Sequence, residues 1–413
     1  MAGDTLDVYW WELFYVPAPM ECSFNYCSFK CAYCFANLNK PERKADIAAT
    51  MRLLRDYPER RTLAAHLLRE GYPVLVSNRV DPFAQSNFKQ ALPILEQMTE
   101  LGIPLYFQTK GGPHAHTALS FLKPTVWYVS IAMLNDDLRK KIEPGAPSIE
   151  SRFELIERLK AEGHGVFVGC NPLVTEWLSE DVERYLERIK NAGVEVVMTQ
   201  PIHFNDKQLS NMSPREKEAI GEKILERSQT TRTRSLQHTD IMFEREFGLL
   251  ARDIGLEHYT FHNTRYSKLP SLYSRFFSKR FPVVEDFINH LIDAKQNVVS
   301  FDDYANFFEP YFPTGTFNLG SYFRTTSYKF WKYNATSEHM TFRQLLAICW
   351  KYRETRYHPA NHSAFSYAVV KEGKDYVQLV DEQDMPIMVF DPDGFDELFI
   401  EVENVPDDAG VVS

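Results

Sequence analysis

The chain has 413 residues, a net charge of −10, 44% hydrophobic residues and 25% charged residues. This balance is that of a globular protein and excludes a disordered chain, a collagen-like fibre and a coiled coil. No run approaches the ~18 consecutive apolar residues of a membrane span, so no membrane partner is expected, and the length suits two to three domains or one large α/β barrel with an extension.

The start carries Asp4 and Asp7 and no basic stretch, so it reads as no secretory signal, and the chain is expected in a reducing cytoplasm. A first strand is expected over Asp7–Val16. A cluster of three cysteines follows, at Cys27, Cys31 and Cys34. From about residue 60 to about residue 200, short β-branched runs alternate with amphipathic helical stretches. Strands are predicted at Tyr72–Ser77, Ile103–Thr109, Thr125–Ile131, Gly165–Cys170 and Val194–Thr199. Helices are predicted near 60–70, 86–101, 148–162 and 178–192, each closed by a glycine that can take the left-handed conformation. Strand–helix alternation predicts an α/β fold built on a parallel sheet or barrel.

The pattern changes near residue 205, where a domain boundary is expected. Helices are predicted at 213–228, 240–254 and 283–295, then an irregular aromatic stretch from Phe301 to Tyr333, then short strands over 363–402. The expected division is a core over 1–205, a helical basic–aromatic extension over 206–362, and a short-stranded acidic segment over 363–413. Charge follows the same division. Residues 371–413 hold 13 acidic and 2 basic residues, whereas 263–353 hold 12 basic and 7 acidic ones. A globally acidic chain can therefore carry a basic groove.

Six cysteines are too few for a disulfide scaffold, and three of them lie within eight residues with the spacing C-x3-C-x2-C. A closed zinc site wants four ligands, and Cys22 would have to supply the fourth. Three thiolates on a [4Fe–4S] cluster leave one iron open, which is what a catalytic centre needs. Cys22 and Cys349 otherwise read as buried thiols.

On this motif, with Tyr33 before the last cysteine, the sequence resembles the radical S-adenosylmethionine (SAM) superfamily. The resemblance implies a partial (β/α)6 barrel. It implies a [4Fe–4S] cluster on Cys27, Cys31 and Cys34, SAM on the open iron, and a reducing electron donor such as flavodoxin or ferredoxin. Further stretches are similar to the spore photoproduct lyase-like branch: Ser77-Asn78-Arg79-Val80-Asp81-Pro82, Thr109-Lys110, Ser130, and Glu143-Pro144-Gly145-Ala146-Pro147 with Arg152. By that resemblance Tyr33, Ser77, Asn78, Asp81, Lys110 and Ser130 are candidate SAM contacts, with Lys110 facing the SAM carboxylate. The same residues also read as strand ends, turn chemistry and a solvated lysine. One departure stands out. The lyase returns a hydrogen atom from a cysteine just after its second strand, and residues 74–82 hold none. Cys170 is the candidate donor in its place, expected at the mouth of the barrel; a buried structural thiol is the other reading.

Residues 263–282 interleave Arg265, Lys268, Arg275, Lys279 and Arg280 with five aromatic residues and no acid. Residues 318–334 repeat the theme with Arg324, Lys329 and Lys332. Cations neutralise phosphates and aromatics stack on unpaired bases, so these eight residues are candidate nucleic-acid contacts. The other reading is a helix with buried aromatics and a solvated basic face.

The leading expectation is a radical SAM enzyme acting on a thymine-derived base in DNA, unpaired or flipped. Its reaction would be a radical rearrangement or isomerisation, as in phage-type base hypermodification. The rivals are a DNA photoproduct repair lyase, a radical SAM enzyme on a peptide or small molecule, and a zinc-stapled nucleic-acid-binding protein without catalysis.

Overall fold

A computed structural model describes residues 6–8, 14–24, 26–34, 46–76, 80–202, 204, 206–228, 238–260, 265–312, 341–352, 365–391 and 399–402. The chain forms two compact units. The first is Met1–Asp7, Met20–Thr260 and Leu272–Lys279, and the second is Val8–Pro19, Phe261–Ser271 and Arg280–Ser413.

In the first unit β1 (Leu6–Val8) and β2 (Met20–Cys22) are followed by α1 (Ile47–Asp56), α2 (Leu63–Arg69) and β3 (Val74–Val76). Then come α3 (Phe88–Glu100), β4 (Leu105–Thr109), α4 (Pro113–Leu119) and β5 (Val126–Ser130). Next are α5 (Asp136–Ile142), α6 (Ile149–Ala161) and β6 (Gly165–Leu173). The short α7 (Thr175–Leu178) and α8 (Val182–Asn191) lead to β7 (Val196–Pro201). Four helices, α9 (Asp206–Asn211), α10 (Pro214–Ile220), α11 (Glu222–Arg227) and α12 (His238–Asp253), precede β8 (Glu257–Tyr259).

These eight strands form one sheet in sequential order, and β2 to β8 all pair parallel. The α/β class is as expected, with seven parallel strands in place of six. Local chemistry sets the elements. Thr62, Asn135 and Ser148 cap α2, α5 and α6 by accepting backbone N–H bonds. Val74, Leu75 and Val76 are fully buried, as expected for a parallel strand covered on both faces.

Two sequence expectations need correction. The strand leading into the cysteine loop is β2, not Asp7–Val16, of which only Asp7 and Val8 lie in a described strand. The first unit also runs on to Thr260 instead of ending near 205, because β8 pairs with β7 and completes the sheet.

Successive residues of a strand face opposite ways, so the sheet has two distinct faces. The outer face packs on helices. There Thr199 Oγ1 donates to Glu244 Oε1 at 2.7 Å and shares a second bond of 2.7 Å with His258 Nε2. Burial, with Arg252 adding to it, pushes the His258 imidazole down to about 4. The unfolded chain takes up a proton near ~6.5 where the folded chain does not. Stability is therefore full above ~6.5 and is lost as pH falls towards about 4. Thermal unfolding should show the melting temperature dropping across this window, and His258→Gln should remove most of that slope. An equal slope in the variant would assign the acid sensitivity elsewhere.

After α13 (Leu269–Phe276), the second unit contains α14 (Val284–Ala294), β9 (Val298–Val299), α15 (Phe301–Phe308) and α16 (Phe342–Lys351). It ends with β10 (Phe365–Glu372), β11 (Asp375–Gln378), β12 (Met388–Phe390) and β13 (Phe399–Glu401). Its sheet has the order β11-β10-β12-β9, with β13 parallel on β10 and the other pairs antiparallel. Aromatic residues fill the core. Phe14 meets Phe308 edge-on at 4.5 Å, and Phe312 stacks on Phe342 at 4.2 Å. Trp350 Nε1 donates to Pro386 O at 2.6 Å, and the neighbouring Cys349 is a buried thiol. Because β9 pairs with β12, the stretch before 363 and the strands after it share one sheet rather than forming separate segments. Phe301–Phe308, expected to be irregular, is a helix capped by Ser300. Among the described residues no helix is long and apolar enough to cross a membrane.

Candidate active site

The site lies in the first unit, at the C-terminal ends of β2 to β5. The loop after β2 carries the three cysteines. Cys27 and Cys31 are buried, Cys34 is partly exposed, and none is in a disulfide. Backbone bonds anchor the loop to the turn after α5: Ala32 N donates to Ile142 O at 2.8 Å, and Gly145 N to Phe29 O at 2.9 Å. On another side Ser28 N donates to Ser86 Oγ at 3.1 Å and Ser86 N to Ser28 Oγ at 3.3 Å.

Gly145 is required by this docking. A Cβ there would stand 2.2 Å from Ser28 O, a backbone atom that cannot swing aside. Gly145→Ala should push the cysteine loop off the turn at a cost of about 1–3 kcal/mol. It should lower iron retained after reconstitution while the circular dichroism of the fold persists. Full iron content in the variant would show that the loop tolerates the shift.

A charged network adjoins the loop. Lys110 Nζ donates to Tyr33 Oη at 2.8 Å and to Ser130 Oγ at 2.9 Å, and pairs with Glu143 Oε1 at 3.0 Å. Tyr33 Oη also donates to Glu143 Oε1, and Arg152 Nη2 to Glu143 Oε2. Arg152 Nη1 reaches Ser130 O at 3.0 Å. Glu143 and Arg152 are both fully buried. Burial alone would raise the Glu143 carboxyl, but Arg152 and Lys110 outweigh it and hold it down at about 2. The Lys110 ammonium stands beside the cysteines, where a cation can face an anionic ligand.

Asp81 braces the same corner. Its carboxylate accepts from Phe83 N at 2.9 Å, from Thr109 Oγ1 at 2.9 Å and from Lys110 N at 2.7 Å. It orients the backbone from which Lys110 projects, while burial pushes its carboxyl up to about 6. Burial likewise pushes the Cys27 thiol up to about 12 and raises Cys31. As free thiols both stay protonated, and a metal that binds them must displace protons.

The structure thus brings Tyr33, Asp81, Lys110 and Ser130 together around the cysteine loop. Ser77 and Asn78 lie outside the described residues, as do Arg324, Lys329 and Lys332. Cys170 needs correction. It lies within β6, which continues to Leu173, and it shares a face with Val166 and Val168, opposite Phe167 and Gly169. Its neighbour is Tyr185 of α8 and its exposure is 0%, so it faces the helices and not the inner face that carries Ser130. Among the described residues no group of three or more Cys, His, Asp or Glu side chains converges as a single ion requires.

The basic–aromatic segment is also changed by the fold. Tyr273, Phe277 and Phe281 are buried core residues and cannot serve as stacking platforms for bases. Lys279 pairs with Glu70, and Arg280 is held by Asp286 with two bonds of 2.7 Å. Arg265, Lys268 and Arg275 are exposed, and Tyr266 is 57% exposed. Sequence reasoning did not assign Glu143 its place as hub of the network. Its signal was an acid set between Ile142 and Pro144-Gly145 at the end of an amphipathic helix.

Residues 22–189 match the family model described as Radical SAM superfamily. The uncharacterized protein ORF301 of Acidianus two-tailed virus is 26% identical over 142 residues, covering 32% of this chain and 47% of that protein. The match thus spans about half the length of this curated relative. Among solved structures, Streptococcus suis SuiB bound to S-adenosylmethionine is similar with a TM-score of 0.39 at 14% identity, covering 57% of this chain and 48% of that one. Spore photoproduct lyase complexed with dinucleoside spore photoproduct is similar with a TM-score of 0.41 at 12% identity, covering 62% of this chain and 79% of that one.

Proposed function

With this chain a member of the radical SAM superfamily, whose cofactors are a [4Fe–4S] cluster and SAM, we propose that it acts on a thymine-derived base in DNA. The residues present fit the cofactors. Three unlinked thiols on one anchored loop match the thiolate set of such a cluster, and the Lys110 ammonium stands beside them. When bound, cluster and SAM together supply a 5′-deoxyadenosyl radical that abstracts a hydrogen atom from the substrate.

The chain's own residues do the rest. Cys27, Cys31 and Cys34 hold the cluster. Lys110, positioned by Asp81 and Thr109 and held by Ser130 and Tyr33, would supply a cation to the SAM carboxylate. Glu143 and Arg152 keep the group in place from behind. The observation that carries the cofactor site is Lys110 itself: a lysine with 13% side-chain exposure that bridges the cysteine loop and the end of β5.

A base inside a stacked duplex cannot reach a buried strand end, so it enters flipped or unpaired. Arg275 is an exposed cation of the same unit that can meet its phosphates. Because Cys170 faces the helices, the geometry does not support a photoproduct-lyase step that draws hydrogen from this thiol. A rearrangement of the substrate radical fits better. The test is the release of 5′-deoxyadenosine by reduced, reconstituted protein given SAM and single strands with thymine or modified thymine. Release that depends on DNA, with binding that weakens as salt rises, is expected. Release driven by a peptide and indifferent to DNA would replace this reading.

A further inference from the structure

We infer that Tyr128, Asn171 and Gln200 form a reader for the imide edge of a pyrimidine-2,4-dione base, an assignment that rests on the base-in-DNA reading above. The three residues come from neighbouring strands. Tyr128 pairs with Phe167 and Ser130 with Gly169 between β5 and β6, and Gly169 pairs with Met198 between β6 and β7. Tyr128 therefore shares its face with Ser130. Asn171 and Gln200 lie on that same inner face, joined by Asn171 Nδ2 donating to Gln200 Oε1 at 3.0 Å.

Exposure marks this face as open at its C-terminal end. Gln108, Asn171, Met198 and Gln200 are partly exposed, whereas the alternate residues Val129, Val168, Cys170 and Thr199 are fully buried. The Tyr128 hydroxyl is the telling atom. The residue is only 8% exposed, and its Oη lies beside Asn171 yet makes no hydrogen bond of normal geometry. Gly169 makes room for it, since a Cβ there would fall 1.8 Å from Tyr128 Oη. A buried hydroxyl without a partner is costly, and phenylalanine would fill the same space without that cost. The hydroxyl therefore calls for a partner that arrives with the substrate.

The donor pattern says which partner. With one Asn171 N–H given to Gln200, the Asn171 carbonyl remains an acceptor, Gln200 Nε2 remains a donor, and Tyr128 O–H is a donor. Donor, acceptor and donor side by side complement the carbonyl, N–H and carbonyl of thymine or uracil. Cytosine presents an amino group and a bare ring nitrogen there, and a peptide bond has one carbonyl too few. Ser130, which Lys110 holds, lies two residues along β5 from Tyr128, ~7 Å on the same face. A base read here stands next to the SAM-holding corner.

The test uses reconstituted holoenzyme with SAM and no reductant, so that binding is read without turnover. Fluorescence anisotropy would compare short single strands that differ only in a central thymine, 3-methylthymine or cytosine. Thymine should bind at least about tenfold tighter than either analogue, the scale of one or two hydrogen bonds left unmade. Tyr128→Phe and Asn171→Leu should each shrink that preference to about threefold or less. Equal affinity for the three strands overturns the reader, even if DNA still drives 5′-deoxyadenosine release. Preference that survives both variants overturns it as well. If no strand binds, the base-in-DNA reading fails, and the same comparison with free thymidine, 3-methylthymidine and deoxycytidine decides the reader alone.

Discussion

Cys31→Ala is expected to leave a protein that folds but retains almost no iron and releases no 5′-deoxyadenosine. Outer partners of metal ligands are each worth ~10–100-fold in affinity or activity, so removing a ligand itself should cost more than ~100-fold. Cys31 is buried in a loop whose backbone is bonded on two sides, which holds the position of this ligand. Cys349→Ala is the control. That thiol is buried in the aromatic core of the second unit and should leave iron content unchanged. Iron and paramagnetic resonance measurements on both variants check the expectation. A Cys31→Ala protein that still binds a cluster would remove this loop from the active site.

The largest effect on stability should come from Glu143→Gln. The substitution leaves Arg152, fully buried, without its carboxylate, and Lys110 without its anionic partner. Breaking a buried pair from one side costs roughly 3–5 kcal/mol, because the remaining charge stays desolvated. Glu143→Gln combined with Arg152→Met removes the stranded charge and should recover a large part of that loss. Denaturant midpoints for the two single variants and the double variant give the coupling directly. Additive costs would mean that the two side chains do not depend on each other. The Lys110 ammonium also loses a fixed neighbour, so SAM affinity should fall in the single variant even where the fold holds.

The parts of this arrangement that could be read in the sequence were local. C-x3-C-x2-C lies within eight residues, and the β-branched runs around Val74, Val126 and Val166 are continuous, as buried parallel strands are. Short elements were harder to see. Met20-Glu21-Cys22 and Glu257-His258-Tyr259 are three-residue strands with an ionisable group in each, and no periodicity shows in so few positions. Missing β8 is what moved the expected boundary to 205. The network around Glu143 joins residues 33, 110, 130, 143 and 152, and only the fold brings them together. Cys170 shows a subtler limit. Its strand was legible, but which parity of β6 turns inward is decided by what packs on each face: Tyr128 beside Gly169 and Tyr185 beside Cys170. In the basic segment, composition placed the aromatic residues without telling a stacking surface from a core.

The bonds that tie the cysteine loop to Ile142, Gly145 and Ser86 do not involve the thiols. The conformational entropy of ordering this loop is therefore spent while the chain folds, before any cofactor arrives. A zinc finger has the opposite arrangement, since its metal is what folds it. Here the amides of Ala32 and Gly145 should exchange slowly with solvent deuterium even in cluster-free protein. Oxidative loss of the cluster would then leave a host already shaped to take up another one.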